Sequence, residues 1–98
     1  MSRPVVDQSF LLRRRLAEAA RGNADACFDL GLHYASGDDE DGIDYIEAHK
    51  WFNIAAMSGD ARAQQCRAEL AAEMSASEIA EAQRAARAWL AQKTAVAA

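Results

Sequence analysis

Proline is almost missing from this chain: it occurs once, at Pro4. Nothing after that position interrupts a helix by removing a backbone donor. Glycine is nearly as sparse, and four of the five glycines (Gly22, Gly37, Gly42 and Gly59) fall at predicted helix boundaries, which argues for helices joined by short turns and against a sheet. Only Cys27 and Cys66 could form a disulfide. Each lies on a predicted buried helix face, where a lone cysteine behaves as a small hydrophobe. No apolar run approaches the length needed to cross a membrane. The opening MSRPVVDQSFLLRRRL also lacks the apolar stretch and small-residue cleavage site of a secretory signal, so the expected setting is a reducing compartment, most simply the cytoplasm. An excess of cations is missing too. Lys and Arg total 11 against 15 Asp and Glu, for a net charge of −4, which counts against a nucleic-acid surface.

What the chain has in quantity is alanine within an apolar half. Alanine favours helix and lets helices approach closely while burying little area, so 98 residues predict one all-α domain with a thin core. The organising stretch is 22–59, which reads as an antiparallel helix pair. Its opening phrase Gly22-Asn23-Ala24-Asp25-Ala26 returns 37 residues later as Gly59-Asp60-Ala61-Arg62-Ala63, a period within the range of helical repeats.

The first predicted helix follows Asp7 as N-cap, with Val6 and Leu11 spaced as a hydrophobic staple. Phe10, Leu11, Leu12, Leu16, Ala17 and Ala20 form its apolar side; Arg13, Arg14, Arg15 and Arg21 form a solvated face or, alternatively, a patch for an acidic partner. The second helix is expected over about 24–35 behind Asn23. Its stripe is Cys27, Leu30, Gly31 and Tyr34, with Gly31 marking close helix approach and Gly37 ending the helix. The acidic connection 38–41 invites a calcium reading, but placing Gly42 at the sixth loop position puts Gly37 and Ala48 where ligating carboxylates are required. A solvated turn, or a weak site for a cation or a basic partner, is what remains.

The third helix has Asp44 as cap, Glu47 completing a capping box and Ile43 with Ala48 as staple. Tyr45, Ala48, Trp51, Phe52, Ala55 and Ala56 face the core. The fourth helix starts at Asp60 with Ala63, Cys66, Leu70 and Met74 on one stripe. The fifth starts with the Ser75 and Glu78 box, braced by Met74 and Ile79. It buries Ile79, Ala82, Ala86 and Trp89 and turns Glu81, Arg84 and Arg87 outward, with a tail over 93–98 expected to fray.

Chemistry is hard to place on this frame. His33 and His49 sit on different helices, with no His-x-x-x-His or Cys-x-x-Cys spacing to hold a metal. His49 reads as a surface or packing residue. Cys27 and His33, six apart, point in different directions on one helix. With no glycine-rich phosphate loop either, the expectation is a protein without cofactor or metal and not an enzyme.

The residues Ala24-x-Ala26-x-x-x-Leu30-Gly31-x-x-Tyr34-x-x-Gly37, followed by Asp44, Ala48, Lys50-Trp51-Phe52, Ala55-Ala56 and Gly59, resemble the Sel-one-like repeat, a relative of the tetratricopeptide repeat. The likeness covers one complete repeat over 22–59, after an opening helix over 6–21 and before a degenerate repeat and capping helix over 60–92. It implies a short right-handed α/α superhelix of about five antiparallel helices. One repeat is fewer than the about three that stand alone, so flanking helices or self-association must complete the core. The family works by binding other proteins, as scaffold or adaptor. By analogy with tetratricopeptide packing, Asp25, Phe28, Leu32, Ala35 and Ser36 line the concave surface, with Phe28 and Leu32 as apolar anchors and Asp25 and the acidic connection selecting by charge. The alternatives are a homo-oligomer that consumes the same apolar surface, and an adaptor that delivers a client to a larger complex using the Ala97-Ala98 end. Neither nucleic acid nor membrane is expected as a partner.

Overall fold

Every helix after the first begins where a short polar side chain satisfies free backbone N–H groups of its first turn. The computed structural model describes residues 8–37 and 42–97, and no strand occurs among them. The elements are α1 (Gln8–Ala20), α2 (Ala24–Ala35), α3 (Tyr45–Met57), α4 (Ala61–Ala71) and α5 (Ala76–Ala97), an all-α fold. Asn23 caps α2 by accepting from Ala26 N at 3.1 Å. Asp60 caps α4 by accepting from Arg62 N at 3.0 Å and Ala63 N at 3.4 Å. The two caps have nearly the same backbone, φ −77° and ψ 108° at Asn23 against φ −80° and ψ 106° at Asp60. Each follows a glycine at positive φ, 89° at Gly22 and 96° at Gly59. The repeated phrase is therefore one local instruction used twice: leave the preceding helix through a left-handed glycine, then cap the next. Asn23→Ala and Asp60→Ala are each expected to cost about 1 kcal/mol. In a domain of this size that lowers the thermal midpoint by about 4–8 °C, read by circular dichroism; two unshifted melts would show that these caps contribute nothing.

The capping box before α5 is reciprocal: Ser75 Oγ accepts from Glu78 N at 3.1 Å, and Glu78 Oε1 accepts from Ser75 N at 2.8 Å. Asp44 caps α3 through Glu47 N at 3.1 Å and donates its own N–H to Tyr34 O at 3.0 Å, tying the start of α3 to the end of α2.

Helix α3 is the centre of the molecule. Ala48, His49, Trp51, Phe52, Ile54, Ala55 and Ala56 are all buried, more than one stripe can supply, because α2, α4 and α5 all pack against it. Helix α4 runs alongside α2 in the same direction, and α5 follows α3, with Trp89 set edge-on to Trp51 at 5.3 Å between centroids. Helices α4 and α5 each rest on α3 and make at most minor contact with one another. Gly31 is the point of closest approach between α2 and α3. A Cβ there would lie 2.5 Å from Phe52 Cε1, so the glycine is a steric requirement.

Several expectations need correcting. The apolar side of the first helix is only partly covered: Leu11 and Leu16 stay 40% and 37% exposed, because among the described residues α2 is the one substantial neighbour of α1. The tail expected to fray from 93 continues as helix to Ala97. Cys66 is half-buried, not enclosed. The Asp7 cap, the Val6 partner of the staple and the acidic connection 38–41 lie outside the described residues.

Candidate functional site

Because α2 and α4 lie side by side across α3, their outer faces enclose a cleft of about 250 Å³. Toward the first turns of α2 and α4 the seam between them is polar. There Arg62 joins Asp25 at 3.0 Å and Asp60 at 2.8 Å, and its guanidinium lies 4.2 Å from the centre of the Phe28 ring. Asp25 and Arg62 occupy the same position of the repeated phrase, 37 residues apart. The hydrogen bond from Arg62 holds the Asp60 carboxyl below the usual carboxylate range, with the Arg62 charge and the backbone donors of Ala63 and Arg62 adding to it. Arg62 is raised in turn, first by the hydrogen bond to Asp60.

The other end is open and amphipathic. Phe52 and Leu70 form the floor, Leu32 and Ala35 one wall, and Glu69 and Glu73 the opposite wall. Ile43 folds across the mouth beside Gly37, whose Cβ, if it had one, would sit 3.1 Å from Ile43 Cγ1. Leu32 is 44% exposed and Ile43 39% exposed, so two large apolar side chains stand uncovered together at this end. Glu69 Oε1 accepts a hydrogen bond from Gln65 Nε2 at 3.3 Å. No cation pairs with Glu69 or Glu73 among the described residues. The open end is thus apolar at its mouth and negative along one wall.

Of the five residues expected at a concave surface, Leu32 and Ala35 line the cleft. Asp25 does not line it and is engaged with Arg62 at the start of α4. Phe28 is not available as an anchor. It is 8% exposed, tilted against Phe52 at 5.7 Å and roofed by Arg62, because α4 begins directly beside it. Ser36 is exposed, and its hydroxyl donates to His33 O at 2.8 Å in the last turn of α2, so its role is local capping. Sequence reasoning missed Ile43, Leu70, Glu69 and Glu73. The signal for the last two was the repeat itself: 37 residues on from Leu32 and Ser36 stand Glu69 and Glu73.

Elsewhere the titratable groups are muted. Burial pushes the Cys27 thiol up, with Lys93 opposing it; burial also pushes up Cys66, reinforced by Glu69 and Asp60. Both stay protonated and poorly nucleophilic at neutral pH. Among the described residues no group of three or more His, Cys, Asp or Glu is placed to hold a metal ion. No described helix is long and apolar enough to cross a membrane. No family model matches the chain, and neither a curated protein nor a solved structure matches it.

Proposed function

We propose that the chain is a short α/α superhelix of the tetratricopeptide and Sel-one-like kind that acts as a protein-interaction module, a scaffold or adaptor in a reducing compartment such as the cytoplasm, and not as an enzyme. The observation that carries this reading is the open end of the cleft, where exposed Leu32 and Ile43 stand opposite the unneutralised Glu69 and Glu73. The repeated glycine turn and cap support the superhelix, since they start α2 and α4 in the same way. The fitting ligand is a segment of a partner protein that presents one apolar side chain with Lys or Arg about one helical turn away. The apolar insertion supplies most of the affinity, while exposed carboxylates, worth about 0.2–1 kcal/mol each, set partner choice and association rate.

A displayed peptide library selected on the purified protein tests this. Enriched peptides are expected to combine an apolar anchor with a nearby cation. Leu32→Glu is expected to weaken them about 30-fold, the effect of losing one hot-spot anchor. Enrichment indifferent to Leu32→Glu, or of acidic peptides, would remove the cleft from consideration.

A further inference from the structure

We infer that the cleft takes the α1 edge of a second copy of this chain, so that the protein associates head to tail. The inference rests on the reading of the cleft as a docking surface and names its partner. Exposed large apolar side chains cluster in two places, on α1, with Phe10, Leu11 and Leu16, and at the cleft mouth, with Leu32 and Ile43, while Met57 stands alone at the end of α3. The two surfaces carry opposite charge. On α1, Arg14 is matched by Glu18 at 3.2 Å and Arg15 by Asp29 at 3.1 Å, while Arg13 has no ion pair among the described residues. Arg13 and Leu16 are three apart on one side of the helix, the pairing of cation and apolar anchor that the cleft fits.

Charge selects the mode of assembly. Two α1 edges face to face bring arginines together, and two clefts bring Glu69 and Glu73 onto their copies; α1 on cleft sets Arg13 against carboxylates and Leu16 against Leu32 and Ile43. The two surfaces cannot satisfy one another within one chain. Helix α1 meets α2 on the side of Asp29, Leu30 and His33, whereas the cleft lies on the side of Leu32 and Ala35. A head-to-tail contact leaves one free edge and one free cleft at the ends, so growth continues unless the rotation between copies closes a ring.

Sedimentation equilibrium tests this with two variants. The cleft variant is Glu69→Lys/Glu73→Lys and the edge variant is Arg13→Glu/Leu16→Glu; all four positions are at the surface or half-buried at most, and retained helicity is checked first. Wild type is expected to gain mass with concentration, with association weakened about tenfold or more at high ionic strength. Each variant alone is expected to stay monomeric, and an equimolar mixture to give a dimer that grows no further. A monomeric wild type, a cleft variant that self-associates through its own edges, or a mixture that stays monomeric would each overturn the inference. If the chain is monomeric yet still selects basic amphipathic peptides through Leu32, only self-association fails. Loss of peptide selection as well removes the docking surface.

Discussion

Phe52→Ala is expected to cost about 3–5 kcal/mol, a large part of the stability of a domain whose total is about 5–15 kcal/mol. The ring is buried in α3, tilts against Phe28, lies under the bare backbone of Gly31 and floors the cleft. The surrounding core is largely alanine and cannot collapse into the space left behind. The companion change makes the prediction more specific. Gly31→Ala should gain about 1 kcal/mol of helix propensity, but the new Cβ would run into the Phe52 ring, so the net expectation for the single variant is a loss of about 1–3 kcal/mol. In the Phe52→Ala background the obstruction is gone and the same substitution should become stabilising by up to about 1 kcal/mol. Urea denaturation of wild type, both single variants and the double variant measures this coupling. Additive losses would mean that Gly31 is not held by the approach of α3.

The starts of α2 to α5 were legible because capping is local physics. Asn23, Asp44, Asp60 and Ser75 each bond a backbone N–H within three residues, and the same short polar side chains announce this in the sequence. Gly31 was legible for a related reason, since a glycine inside a helix is tolerated where a neighbour needs the space. Phe28 and Leu16 were not, because their burial depends on which helix lies alongside and how far its side chains reach. The period of α2 marks a side of the helix but does not say that Arg62 of α4 sits over the Phe28 ring. Conversely, the apolar period of α1 says that one side seeks cover, but α2 alone is too narrow to cover Leu11 and Leu16. The cleft itself is a property of two helices together. Its acidic wall became readable only when the positions of α2 were carried forward by the repeat onto α4.

Acid is expected to loosen the protein along the seam between α3 and α4, at His49. This side chain is 3% exposed, its Nδ1 has no hydrogen-bond partner among the described residues, and Arg67 of α4 adds a positive charge nearby. One turn along α3, Asn53 accepts a hydrogen bond from Arg67 and so keeps that charge at the seam. Burial foremost, and Arg67 second, hold the folded-state pKa of His49 below its ordinary 6.5. As pH falls through 6.5 the unfolded chain therefore takes up the proton first. The stability supplied by a neutral His49 is complete above 6.5, is lost as pH falls from there to the lower folded value, and changes no further below it. His49→Leu removes both the orphaned nitrogen and the titration. It is expected to raise stability at neutral pH by about 1–3 kcal/mol and to flatten the urea midpoint between about pH 7.5 and about pH 5.5. Because α4 packs chiefly on α3 and forms the acidic wall of the cleft, its amides should lose hydrogen-exchange protection in wild type before those of α2. An acid profile unchanged by His49→Leu over this range would show that His49 does not carry the sensitivity; the capping carboxylate of Asp60, held below its ordinary 3.8, gives up its contribution only as pH falls beneath that value.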